Sequence, residues 1–148
     1  MQNYIFNNGI IAVIKSNKKT IIIDVDNIKV INKNIRFVIS INCLINGSTI
    51  DGRKNATKRI LNINYKIPIY IRDNIILLQL KSIRNNCSMY ISLNNIIDYK
   101  YKNNRLLIKC INNYIFTINI SKYNFEKLII NGLKLNNVLK TKKSDNFV

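Results

Sequence analysis

The sequence predicts a single, mainly β domain, a β-barrel or sandwich-like sheet with a meander, followed by a C-terminal α-helix. Three observations carry this. Short apolar runs rich in Ile, Val, Tyr and Phe recur between Asn pairs and Asn-Gly steps, the rhythm of strands and tight turns. After Ser121 the apolar spacing changes from strand-like to helical. The length of 148 residues, 47% of them apolar, suits one domain with a substantial core.

Taken in order, Tyr4-Ile5-Phe6 and Ile10 to Ile14 flank Asn8-Gly9, residues that tolerate the positive φ of a tight hairpin. Thr20 to Val25 and Ile35 to Leu44 read as the next strands, with Asn46-Gly47 as a second hairpin signal. Residues 51–59 break the pattern and read as a basic loop, after which Ile60 to Ile63 resumes as a strand. Lys66 to Ile71 contains the only proline, Pro68, which belongs at a strand start or edge because it cannot donate to a ladder. Ile75 to Leu80 is another strand, and 89–97 fits either a strand or a short helical turn.

Ile96 to Tyr101, Arg105 to Ile111 and Tyr114 to Ile120 form a meander, separated by Asn103-Asn104 and Asn112-Asn113. In the helix, Phe125, Leu128, Ile129 and Leu133 make the apolar stripe, and Ser121 caps its start. Gly132 reads as its end or a kink. The domain is expected over residues 1–139, with 140–148 as a polar, frayed tail.

Lys and Arg number 24 against 7 Asp and Glu, a formal charge of +17. A folded domain this basic meets a polyanion. The charge is spread, however, at +4, +6 and +7 over residues 1–50, 51–100 and 101–148. Lys, Asn and Ile, whose common codons are A/T-rich, are abundant, so part of the surplus reflects base composition rather than function.

There is no histidine, which removes Ser-His-Asp triads, Cys-His dyads and His-based metal sites. Glu126 is the only glutamate, so paired-Glu acid–base chemistry is excluded. No enzymatic activity, cofactor or metal is expected. Asp24 and Asp26 share a strand face but lack a third carboxylate to complete a cation site.

Cys43, Cys87 and Cys110 form no CxxC pair and read as small buried apolar residues in a reducing cytosol. No secretory leader is evident, and no apolar run approaches the roughly 18–20 residues that span a bilayer.

The densest basic stretch is Gly52-Arg53-Lys54 with Lys58 and Arg59, four positive charges in seven positions. It lies in the block Cys43-x3-Gly47-x4-Gly52-Arg53-Lys54-x2-Thr57. That block resembles a Cys-x3-Gly…Gly-Arg-Lys-x2-Thr region of the ComK family of competence transcription factors. Lys66-x-Pro68-Ile69, then Ser82, Arg84 and Cys87, then Ile118-x-Ile120-Ser121 and Phe125-Glu126 follow in the family's order. Tyr4-x3-Asn8 and Ile11-Ala12-Val13 fit near the start, so the resemblance spans roughly residues 4 to 135. The chain departs from the family at Ile50 (usually Tyr), at Leu78-Gln79-Leu80 (often Phe-Pro-Thr) and at Ser88-Met89 (where a Trp is usual).

The resemblance implies an activator of DNA-uptake genes that binds paired A/T-rich boxes in duplex DNA, largely through the minor groove. It also implies a homo-oligomer, dimer or tetramer, working with RNA polymerase on the nucleoid and under a degradation adaptor. The implied contacts are Arg53 entering the groove, Lys54, Lys58 and Arg59 on phosphates, and Thr57 as a hydroxyl donor. Lys66 and Arg84 are secondary contacts flanking matched positions. Read without the resemblance, 53–59 is equally a solvated loop, with Arg53 pairing a carboxylate such as Asp51 or Asp73.

Two rival functions remain. Tyr99, Tyr101 and Tyr114 among lysines suggest a β-barrel that stacks the bases of single strands or RNA. A short ComK-like chain could instead act as an antagonist through mixed oligomers.

Overall fold

A computed structural model of the chain describes residues 4–81 and 88–145, with side chains as far as Thr141. Strands β1 (Ile10–Ser16), β2 (Lys19–Asp24) and β3 (Ile28–Ile31) lead into helices α1 (Ile35–Ile45) and α2 (Ile50–Leu61). Strands β4 (Ile69–Arg72), β5 (Ile75–Lys81) and β6 (Ser88–Ser92) follow. The chain then runs through β7 (Ile96–Lys102), β8 (Arg105–Cys110) and β9 (Ile115–Ile118) into α3 (Lys122–Asp145).

The first six strands form one antiparallel sheet in the order β3-β2-β1-β6-β5-β4, and β7-β8-β9 form a separate meander. Both sheets are open, so of the two expected forms the barrel is excluded.

The large sheet is covered on both faces. On one, Val38, Ile39 and Cys43 of α1 and Ile50 of α2 pack against Ile10, Val13 and Leu77. On the other, Leu106 and Ile108 of the meander and Phe125 of α3 pack against Ile11, Leu80 and Ile91. Double coverage explains why β5 reads Ile-Ile-Leu-Leu with no polar alternation over its first four residues. A register shift between Ile10 and Ala12 breaks the alternation of β1, so that the consecutive residues Ile11 and Ala12 both join the second core while Ile10 and Val13 join the first.

The meander, its Asn turns and the late helix follow the sequence expectation. Asn103 and Asn104 both have positive φ, as a two-residue hairpin turn requires. Pro68 sits one residue before β4, which is an edge strand. The ambiguous 89–97 segment divides into the rest of β6, a 3-10 turn at Leu93–Asn95 and the start of β7.

Other expectations fail for identifiable reasons. Ile35 to Leu44 is not a strand but α1, despite its β-branched residues. Asn34 caps it by accepting the Phe37 amide at 2.8 Å, and Val38, Ile39, Asn42 and Cys43 fall on one buried helical face. Tyr4 to Phe6 is not a hairpin strand either, because its backbone bonds go to a side chain. Asn42 accepts the Phe6 amide at 2.8 Å and donates to the Tyr4 carbonyl at 2.7 Å. The first hairpin forms instead at Asn17-Lys18.

The late helix also corrects its forecast. Leu133 is exposed, whereas Phe125, Leu128 and Leu135 are buried. Gly132 neither ends nor kinks the helix: a Cβ there would lie 2.9 Å from Leu93 Cδ2 and 3.2 Å from Leu78 Cδ2. Its missing side chain lets α3 lie close on β5. The helix runs on through Asp145, so its last turns take in residues 140–145 of the expected tail.

Candidate nucleic-acid interface

The basic stretch expected as a loop over 51–59 is helix α2, and the strand expected at Ile60 to Ile63 is its last turn and cap. The turn before it explains why. Ser48 donates to the Cys43 carbonyl at 3.0 Å and Gly47, at φ +86°, donates to Leu44 at 3.0 Å, the paired bonds of a Schellman C-cap on α1. Asn46-Gly47 thus ends a helix rather than turning a hairpin. Thr49 Oγ1 then accepts the Gly52 amide at 2.9 Å and starts α2. Gly52 leaves the cap uncrowded, since a Cβ there would lie 3.0 Å from Thr49 Oγ1 and 2.8 Å from Ser48 Oγ, and the Ser48 hydroxyl would have to rotate away. Asp51 in the first turn and Lys58 and Arg59 in the last complement the helix dipole.

This geometry sorts the expected contacts. Thr57 is 2% exposed and points into the protein, so its hydroxyl is not offered to a phosphate. Arg53 turns inward: its guanidinium donates to the Asn46 carbonyl at 2.8 Å and to the Ile71 carbonyl at 3.4 Å, and stacks 5.0 Å from the Tyr70 ring. Neither carboxylate considered as a partner takes it by these bonds. Asp51 pairs with Arg36 at 3.5 Å, and Asp73 accepts the Tyr70 hydroxyl at 2.7 Å. Arg53 ties the α1–α2 turn to β4.

Lys54, Lys58 and Lys66, by contrast, are brought together. They line a cleft of about 340 Å³ with Lys81, Gln79 and Tyr65. Its lining contains no carboxylate among the described residues. Arg59 lies exposed beside Lys58 on the outer face of α2. Arg84 lies outside the described residues. Lys81, Gln79 and Tyr65 were missed from sequence. Lys81 follows the apolar run of β5, where it reads as a strand end, and Tyr65 sits in what looked like an ordinary strand connection.

The other singled-out groups have structural jobs. Asp24 is buried and its Oδ1 accepts the Asp26 and Asn27 amides at 2.8 and 2.9 Å, shaping the β2–β3 turn. Tyr99 packs edge-on to Phe125 at 4.9 Å, Tyr101 donates to the Ile120 carbonyl, and Tyr114 stacks parallel to Phe116. Tyr99 and Tyr101 join the meander to the start of α3 and the segment before it, and Tyr114 packs within the meander, on an open sheet rather than a barrel. Cys43 and Cys110 are buried, and burial pushes the Cys110 thiol up to about 11. Burial raises Cys43 as well, against the pull of the Arg53 guanidinium. Cys87 lies outside the described residues. No described helix is long and apolar enough to cross a membrane.

A family model described as ComK protein matches residues 1–144 of the 148. Neither a curated protein nor a solved structure matches the chain.

Proposed function

The chain belongs to the ComK family, a family of competence transcription factors rather than enzymes, and we propose that it binds A/T-rich duplex DNA, largely through the minor groove, to activate DNA-uptake genes. The observation that carries this is the lysine cleft beside α2, four cations and no carboxylate around one groove. Lysines so placed neutralise phosphates and hold a duplex in register without reading its sequence. Sequence preference then comes from the groove itself. A-tracts have a narrow minor groove of enhanced negative potential, and its edges distinguish A·T from G·C. Lys54, Lys58, Arg59 and Lys66 are the proposed contacts, and Arg84 stays a secondary one. Paired boxes suit two or more copies of the chain, acting on the nucleoid with RNA polymerase and under an adaptor's control.

One observation favours a second docking mode. Helices α1 and α2 are joined by four residues that include Gly47, a helix-turn-helix connection. In that mode the exposed stripe of Asn55 and Arg59 on α2 would face base edges in the major groove.

Fluorescence anisotropy at one stated salt concentration tests the proposal with four probes: an A/T-box duplex, a G/C duplex of equal length, single-stranded DNA and structured RNA. The A/T duplex binds tightest. Equal affinity for both duplexes, or tighter binding to either single strands or RNA, overturns the proposal.

A further inference from the structure

Between α2 and β4 the chain makes a turn held by two left-handed residues. Asn62 caps α2 at φ 53°, and Lys66 sits at φ 48°. Of the eight non-glycine residues with positive φ among those described, seven are asparagines, whose short side chain tolerates that region. Lys66 is the exception. A long side chain held in a sparsely populated conformation is backbone strain, and such strain gathers at functional sites.

The strained turn presents Tyr65. Its side chain is 78% exposed, the most exposed large apolar side chain among the described residues. The Lys66 ammonium lies 5.9 Å from its ring centroid, so the aromatic face carries a cation beside it.

Asn64, Tyr65 and Lys66 line two separate clefts. One is the lysine cleft, of about 340 Å³, which Lys54, Lys58 and Lys81 also line. The other, of about 580 Å³, lies against the start of α3 and carries Lys127 with the amides of Asn119, Asn124 and Asn131. The turn is therefore a ridge between two troughs, each lined by cations or hydrogen-bond donors.

A narrow ridge with a donor-lined trough on either side is the complement of a minor groove and its two backbones. We propose that Tyr65 is the element that enters the groove, as a wedge against the base edges, with one sugar–phosphate strand in the lysine cleft and the other along Lys127 and Asn124. Apolar wedges of this kind unstack a base step and bend the duplex, which is easiest at flexible T-A steps. The inference rests on the minor-groove proposal and adds a residue and an orientation to it.

The test uses the full chain and three duplexes of one length: A·T, G·C and inosine·C. Inosine·C shows the minor groove an A·T-like face without the guanine amino group, while its major-groove edge stays G·C-like. Wild type is expected to bind A·T and inosine·C alike and G·C more weakly. Tyr65→Ala is expected to lower affinity for A·T and inosine·C by about tenfold, the scale of one lost base–aromatic contact. It is also expected to narrow their advantage over G·C, with an unchanged circular dichroism spectrum. Asn124→Ala weakens all three duplexes by a smaller factor.

If inosine·C follows G·C, the minor-groove proposal falls and the wedge with it. If inosine·C follows A·T but Tyr65→Ala leaves affinity and preference unchanged, the wedge alone falls.

Discussion

Changing Lys54, Lys58 and Lys81 together to alanine weakens binding to every duplex, A/T-rich or not, by on the order of a hundredfold at 0.1 M salt. The three line one cleft, and in the proposed arrangement that cleft takes one strand of the duplex. Each phosphate neutralised contributes about −0.9 to the log–log dependence of affinity on salt, so the slope becomes shallower by about 2.7. The ratio of A/T to G/C affinity is retained, because phosphate contacts carry no sequence information directly.

The control is a second triple, Lys122, Lys134 and Lys140, exposed on α3 and outside both clefts beside the ridge. Against a formal charge of +17, that triple lowers only the diffuse attraction and costs a small factor. Equal losses from the two triples would mean that binding is a general effect of the net charge and that the cleft has no special part in it.

Arg53→Ala acts on the fold rather than on the duplex. It removes two charge-assisted bonds to backbone carbonyls, one at 2.8 Å and one at 3.4 Å, and a cation–π contact with Tyr70. Bonds of that type are worth about 1.5–3 kcal/mol, and the ring contact about 0.5–1 kcal/mol or more. The expected destabilisation is about 3 kcal/mol, a fall in Tm of roughly 6–12 °C for a domain of this size. Lysine rescues it only in part, since both bonds leave one guanidinium nitrogen that an ammonium can replace, whereas the planar stack on the Tyr70 ring is lost. At a temperature where both proteins are folded, the variant keeps the A/T preference of the wild type. Thermal unfolding followed by anisotropy on the same samples reads both outcomes. An unchanged Tm with lost A/T preference would return Arg53 to the groove.

That reversal shows what was legible in the sequence. Gly52-Arg53-Lys54 reads as a loop because glycine precedes a charge cluster. What decides otherwise is Thr49, three residues earlier, whose hydroxyl takes the Gly52 amide and turns the segment helical. Helix α1 was hidden for a similar reason. Ile, Val and Phe favour strands locally, but burial of Val38, Ile39, Asn42 and Cys43 on one face outweighs propensity.

The meander was readable because its turns are marked by Asn pairs, and Asn103 and Asn104 take the left-handed conformation that such marks imply. Lys54, Lys58 and Lys66 were legible as basic residues, yet their convergence was not. It depends on α2 being a helix and on the turn that brings Lys66 back beside it. Tyr65 carried no local mark at all, since its prominence comes from the strained turn that lifts it between two clefts.

The central claim is that the duplex lies on the face made by α2 and the 62–67 turn. Hydrogen exchange of the full chain, with and without an A/T-box duplex, locates the contact directly. Slowed exchange over residues 54–67 and at the end of β5 near Lys81, with β7–β9 unchanged, is the predicted footprint. Protection confined to the β7–β9 meander, with the 62–67 turn exchanging as it does in the free protein, would contradict it.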